Sequence, residues 1–453
     1  MAGTKTKSHQ IDMCNGPIIS KMLMFAIPLM LSNILQLLFN AADVIVVGKF
    51  AGEDALAAVG STGSLVNLFV NFFMGLSVGA NVLVGRFLGA KQEQKVKETV
   101  HTSIMTSLIC GVFLLVFGII FSPIVLKWMD SPPEVLPLAV LYLRIYFLGI
   151  PALMLYNFGA AILRAMGDTK RPLSYLTLSG ILNVCLNLLT VVGFKWSVAG
   201  VAIATICSQY VSAILILRCL MKEQSVIRVE LKHLKIHWDK LRKILQVGIP
   251  TGLQSVMFAL SNVLIQSSVN SFGATVVAGG AAAGNIEGFA YTAMNAFYQA
   301  NLSFTSQNYG AGKYKRIDKI LVRGVICAAC VGILTGGACY LFGPQLLSLY
   351  TDSAEVIAAG MVKLSIVALP YFLCGIMESI VGSLRGMGYT VFPMLVTLAG
   401  SCLLRIVWLQ TVFRIEQFHT IETIYIIYPI SWIVTEIAHL ITFLVVRKKV
   451  YRF

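Results

Sequence analysis

The chain has 453 residues, of which 57% are hydrophobic and only 12% charged, whereas soluble domains carry charge on about a quarter of their residues. That composition excludes an ordinary soluble protein and marks an integral membrane protein. The net charge of +15 does not imply nucleic acid, because the basic residues are concentrated in alternate connections between apolar runs.

Twelve apolar runs are expected to span, at 18–48, 55–85, 99–123, 135–164, 173–194 and 197–220, then 243–272, 275–309, 318–343, 355–385, 391–413 and 423–446. Runs of this length form helices; barrel strands would alternate over about ten residues. The fold class is therefore all-α, and the chain divides into a tail at 1–17, a six-helix lobe at 18–220, a linker at 221–242, a second six-helix lobe at 243–446 and a basic tail at 447–453. No cleavable signal is expected, since Met1 to Gly16 is polar and the first apolar run lacks a small-residue cleavage pattern.

With the N-terminus inside, the odd-numbered connections hold only Lys49, Lys127, Lys195 and Arg414, and three cations (Arg144, Lys363, Arg405) fall within segments. The other Lys and Arg lie in the even-numbered connections and the tails or at the segment ends that border them. This asymmetry predicts a multi-pass protein of the plasma (inner) membrane with both termini cytoplasmic. The linker, rich in Lys, Arg and His, reads as a cytoplasmic connection that holds topology and meets lipid headgroups.

The first run ends in Asp43-Val44-Ile45-Val46-Val47-Gly48, with no charge between Lys21 and Asp43. A carboxylate there costs at least about 2.5 kcal/mol against lipid, so Asp43 is expected either to face a wet or protein-lined interior or to end the helix at the interface. On the fifth run Asn183 and Asn187 stand one turn apart on one face, and Thr205 follows on the sixth. Together they offer one carboxylate, two amide carbonyls and a hydroxyl, a set suited to a hard monovalent cation or a hydrogen-bonded titratable acid. Interhelical glue is the other reading of the two amides.

The halves repeat. Ala26-Ile27-Pro28 recurs as Gly248-Ile249-Pro250, Gly89-Ala90-Lys91 as Gly310-Ala311-Gly312, and Asp130-Ser131 with Glu134-Val135 as Asp352-Ser353 with Glu355-Val356. Leu163-Arg164-Ala165-Met166-Gly167 recurs as Leu384-Arg385-Gly386-Met387-Gly388, and Pro172 as Pro393, all at an offset of about 221 residues. Because each copy has an even number of spans, the symmetry axis runs along the membrane normal, as in transporters of parallel repeats. A central cleft and alternating access are the expectation.

In the second half, Glu287 on the eighth run and Glu378 on the tenth are intramembrane acids that need partners or water. They are expected to line a substrate cavity or to pair with Arg405 on the eleventh. Aromatic and amide side chains near Glu287 suit an amphipathic cation, with Tyr298 and Gln299 as expected lining residues. Arg144 and Lys363 read as snorkelling to the interface, without a transport role. Cys327 and Cys330 have a redox spacing but sit in an apolar helix, so they read as small buried hydrophobes. Pro28, Pro151, Pro250 and Pro370 free backbone carbonyls and permit bends.

With Ile27-Pro28, Ala42-Asp43-Val44-Ile45-Val46-Val47-Gly48, Gly85-Arg86-Phe87-Leu88-Gly89-Ala90, Leu163-Arg164-Ala165-Met166-Gly167-Asp168-Thr169 and Gln307-Asn308-Tyr309-Gly310-Ala311 in order, the chain resembles the multidrug and toxic compound extrusion (MATE) family. The likeness runs from about residue 15 to 450 and is closer to the DinF-like prokaryotic branch than to the NorM-like one. It implies a secondary antiporter that exports organic cations and other amphipathic compounds, driven by inward Na+ or H+. The Asn-x3-Asn and Thr spacing is similar to the first-lobe cation site of DinF-like members, whose second Asn is usually Asp. Asn187 departs from that pattern and removes a charge. The expectation is proton coupling through Asp43, with Na+ at Asp43 as the other outcome. NorM-like relatives carry an acid on the seventh helix where Phe258 stands here.

No Walker-type sequence, catalytic constellation or selectivity loop is visible, so neither an enzyme nor a channel is expected. No cofactor is expected beyond the coupling ion. The expected partners are a small organic substrate and membrane lipid, without nucleic acid, for a chain that works as a monomer. A lipid-linked oligosaccharide flippase of related fold is the alternative; it would favour a cleft rich in Arg or Lys, and here the interior candidates other than Arg405 are acidic.

Overall fold

The computed structural model of the chain describes residues 10–128 and 133–451. Residues 1–9 of the first tail, residues 452–453 of the last, and the Asp130-Ser131 half of one repeat match lie outside the described residues. The described residues contain helices and no strand. In order these are α1 (Ile18–Phe50), α2 (Glu53–Gly89), α3 (Glu93–Trp128), α4 (Leu136–Ala165), α5 (Lys170–Asn187), α6 (Ser197–Lys222), α7 (Trp238–Asn270) and α8 (Ala274–Gly310). There follow α9 (Tyr314–Leu341), α10 (Gly343–Ser348), α11 (Ala354–Lys363), α12 (Tyr371–Gly386), α13 (Val391–Thr397), α14 (Leu404–Gln410) and α15 (Ile421–Val450). Wide π-helical turns extend α5 (Leu188–Gly193) and α11 (Leu364–Ala368) and join α13 to α14 (Leu398–Leu403).

Among the described residues, ten segments are long and apolar enough to cross a membrane, and an eleventh forms when α11 and α12 are joined across a 42° bend, at Pro370. The expected eighth span, α8, has the length but not the apolarity. Its buried face carries Glu287, Tyr298, Asn301, Thr305, Gln307 and Asn308, because it packs against protein and not lipid. The other helices turn large apolar side chains outward in stripes, such as Val112, Phe113, Val116 and Ile120 on α3 and Leu440, Ile441, Leu444 and Val445 on α15. Outward apolar stripes are stable only where hydrocarbon replaces water.

The chain forms two compact units, one built on Leu31–Gly252 and one on Asp12–Met30 together with the chain from Leu253 onward. The divisions fall inside α1 and α7, two residues past Pro28 and Pro250. In the first unit α4 is central and packs on α2, α3 and α6, with α5 against α6. The first half of α7 also belongs to this unit and crosses α2 where both backbones are bare. A Cβ on Gly248 would lie 2.6 Å from the Leu76 Cα, one on Gly252 would meet the Phe72 carbonyl, and one on Gly79 the Ile244 carbonyl. Gly75-x3-Gly79 thus meets Gly248-x3-Gly252, the small-residue crossing that lets membrane helices touch. The linker is tied to the same unit: Ile227 and Val229 are buried, His101 Nε2 accepts from the Glu230 N–H at 3.1 Å, and Thr102 Oγ1 accepts from the His237 N–H at 3.1 Å.

In the second unit α8 and α12 form the centre, with α9, α11 and α15 around them. The hook Asp12–Gly16 is held here. Asn308 Nδ2 donates to the Met13 carbonyl at 3.0 Å, Lys313 Nζ to the Cys14 carbonyl at 3.0 Å, and Arg316 Nη2 to the Gly16 carbonyl at 2.9 Å. Backbone conformation repeats between the halves at the turns. Gly52 and Gly273 have φ of 91° and 90°, and Gly167 and Gly388 both 88°. At the turn after α2, however, Lys91 takes φ 56° where its counterpart after α8 is Gly312 at φ 69°.

Candidate functional site

The four first-half residues singled out above meet within the first unit. Asp43 comes from α1, Asn183 and Asn187 from the last turn of α5 before it widens, and Thr205 from α6. Asn187 Nδ2 donates to Asp43 Oδ1 at 2.5 Å and is also 3.3 Å from Asn183 Oδ1. Thr205 Oγ1 lies 3.5 Å from Asp43 Oδ2 and 3.5 Å from Asn183 Nδ2. Asn183 and Asn187 are buried, and Asn187 Oδ1 has no hydrogen-bond partner. The widened turn is fixed by Thr190, whose Oγ1 donates to the Leu186 carbonyl at 2.8 Å and lies 3.0 Å from the Gly200 carbonyl of α6.

The Thr205 hydroxyl has one hydrogen, and the Val201 carbonyl stands only 2.9 Å away. The hydroxyl can turn that hydrogen to the Val201 carbonyl or to Asp43 Oδ2. Asp43 therefore has an amide donor on one oxygen and, on the other, a hydroxyl that can donate to a carboxylate or accept from a protonated carboxyl. Asp43 also interacts electrostatically with Tyr142 and Tyr146 of α4, whose rings stack at 6.0 Å. Sequence reasoning missed these two, although their i, i+4 spacing on the fourth apolar run was a usable signal.

In the second unit the acids are placed differently from one another. Glu287 on α8 is buried, with one oxygen 3.5 Å from Lys363 Nζ and the other without a hydrogen-bond partner. Lys363 also donates to the Gly280 carbonyl at 3.1 Å. The reading of Lys363 as a snorkelling side chain is thus corrected: it turns inward and neutralises Glu287. Glu378 on α12 interacts electrostatically with Arg385, and Arg385 in turn donates to the Tyr298 hydroxyl at 2.6 Å and to Gln254 Oε1 at 2.7 Å. Tyr298 is only 6% exposed, lying beneath the Arg385 guanidinium; Gln299 is half-buried and donates to Asn295 Oδ1 at 3.1 Å.

Arg405 does not pair with Glu287 or Glu378, which corrects the ion-pair reading. Its Nε donates to Ser431 Oγ at 2.9 Å and its guanidinium covers the Tyr428 ring at 4.3 Å; among the described residues it forms no ion pair. It is the last rung of a ladder between the eleventh segment and α15. Ser401 and Thr435 meet at 3.1 Å, and Thr397 and His439 at 3.0 Å. All ten cysteines are free, Cys327 buried and Cys330 exposed. No cluster of three or more His, Cys, Asp or Glu fit for a metal occurs among the described residues.

Comparison with known proteins agrees with the repeated architecture. The MatE family model matches residues 28–189 and again 250–409. The probable multidrug resistance protein YpnP of Bacillus subtilis is 27% identical over 87% of this chain and 88% of its own length. The multidrug export protein MepA of Staphylococcus aureus is 22% identical over 82% of each chain. A solved outward-facing structure of a multidrug resistance MATE family transporter of the MOP superfamily superposes with a TM-score of 0.92 over 99% of this chain and all of that one, at 22% identity. A MOP superfamily transporter from Pyrococcus furiosus, whose reversed binding-pocket polarity suggests a different function, matches to the same extent. With both halves matched by one model and the whole fold shared, the chain belongs to the MATE family of multidrug and toxic compound extrusion transporters, which are not enzymes.

Proposed function

We infer that the chain is a secondary antiporter of the plasma membrane, with both termini cytoplasmic, that exports organic cations or other amphipathic compounds by alternating access in exchange for H+ taken up at Asp43. The observation that carries the reading is the pairing around Asp43: a carboxyl at the meeting of three helices, with an amide donor on one oxygen and, on the other, a hydroxyl that can donate to it or accept from it. A neutral acid fits there without loss of a hydrogen bond, and an ionised one keeps the Asn187 donor. Two protonation states of similar structure are what a coupling site needs. Na+ would use the same oxygens, but the second position of the amide pair is Asn187 and contributes no charge.

Glu287 is neutralised by Lys363, which leaves Glu378, influenced by Arg385 but in no direct ion pair among the described residues, as the acid to meet a cationic substrate. Arg405 favours a second reading, in which the cargo carries an anionic group, because it is 2% exposed and has no carboxylate partner among the described residues. The test is gradient-driven uptake in proteoliposomes, comparing the parent with Asp43→Asn under imposed pH and Na+ gradients. Uptake that follows the Na+ gradient alone defeats the proton reading. Failure to move any soluble cation, alongside scrambling of a lipid-linked oligosaccharide, favours the flippase.

A further inference from the structure

The first turn of α9 is unlike its counterpart in the other half. An α-helix start carries partial positive charge and favours acids; α3 has Glu93 there. The corresponding turn of α9 has no acid and no side-chain cap. Over the same four positions the first half has Gln92, Gln94, Lys95 and Glu98, whereas the second has Lys313, Lys315, Arg316 and Lys319. Glu98 meets Lys240 at 3.0 Å; Lys315 and Lys319 make no ion pair among the described residues. Topology alone asks for cations at this end of the bundle. It does not ask for four of them crowded on the positive end of an uncapped helix.

These cations surround a cavity of about 660 Å³, completed by Gly312, Tyr314 and Tyr451. Lys313 and Arg316 are fixed by the hook carbonyls described above, so their ordering cost is already met. One N–H of Arg316, at Nε, is buried and has no acceptor. The nearest acid, Asp318, is already engaged: Arg447 Nη2 lies 2.9 Å away and the Tyr451 hydroxyl donates to it at 2.6 Å. The Tyr451 oxygen also lies 2.9 Å from the Tyr314 carbonyl, at the cavity wall.

We propose that this cavity binds a phosphate-bearing anion, held by Lys315 and Lys319 against the start of α9, with Lys313 and Arg316 as the pre-ordered floor. Charge-assisted bonds to phosphate oxygens supply the counter-charge that this turn lacks. A free phosphate and an anionic lipid headgroup share this chemistry, and the site lies among the basic residues that border the membrane.

The experiment compares the parent, the double variant Lys315→Gln/Lys319→Gln and the control Lys95→Gln/Lys97→Gln, which removes the same charge from the counterpart turn. Thermal shift in detergent with inorganic phosphate reads the free anion. Native mass spectrometry from phosphatidylglycerol or phosphatidylcholine nanodiscs reads the headgroup. The site variant is expected to bind about thirtyfold more weakly than the parent, from about 1 kcal/mol per lysine, while the control keeps parental binding. Loss confined to the phosphate arm assigns a soluble ligand, and loss confined to phosphatidylglycerol assigns a lipid. Equal loss in site and control variants, or no binding of either probe by the parent, overturns the proposal.

Discussion

Replacing Asp43 by Asn separates charge from shape at the coupling site. The amide is nearly isosteric with the carboxyl: it keeps an oxygen to accept from Asn187 Nδ2 and turns its NH2 toward the Thr205 oxygen, 3.5 Å from Asp43 Oδ2. A charge-assisted bond becomes a neutral one, a loss of about 1 kcal/mol, too little to unfold the protein. The transport effect is far larger. One proton moved down a gradient of one pH unit releases about 1.4 kcal/mol, which supports about tenfold accumulation of substrate in a one-for-one exchange. Parent proteoliposomes loaded with a fluorescent organic cation are expected to approach that ratio. The Asp43→Asn variant, fixed in the geometry of the neutral acid, is expected to equilibrate near unity while its melting temperature stays close to the parent's. Gradient-driven accumulation in the variant equal to the parent's refutes the role given to Asp43.

Lys363→Met leaves Glu287 without its counter-charge in a buried place and is expected to cost about 3 kcal/mol; thermal unfolding in a fixed detergent reads this, and the double variant Glu287→Gln/Lys363→Met should recover most of it. Gly75→Val is expected to lower stability by at least about 2 kcal/mol, since the new side chain meets the Gly252 backbone and overpacked positions relax poorly. Lys91→Gly should raise stability by about 0.5 to 1 kcal/mol, and Gly312→Ala should lower it by about 1 kcal/mol, because both positions take positive φ that glycine adopts without strain. Parallel melts of the two variants check that pair, and shifts of the same sign count against the argument.

Eleven of the twelve expected spans were legible because apolar length is set by the bilayer, α8 being the exception, and the helix limits lie within six residues of those read from the sequence. Asp43, Asn183, Asn187 and Thr205 were legible as a group because a polar side chain inside an apolar run must find another. Partner choice was not legible. Glu287 has the same demand for a cation whether Lys363 or Arg405 supplies it, and spacing along one helix does not say which neighbour faces it. The ladder could have settled this: Thr397, Ser401 and Arg405 recur every four residues, as do Ser431, Thr435 and His439, and two such stripes pair more readily with each other than with scattered acids. The bare crossing of α2 and α7 was also readable, as two Gly-x3-Gly pairs.

Because the compact units change over inside α1 and α7, nicking the chain in the linker would not release two self-sufficient halves. Each fragment would carry away the opening turns that complete the other's core, so neither product should fold when expressed by itself, and co-expressed fragments should reassemble by mutual exchange.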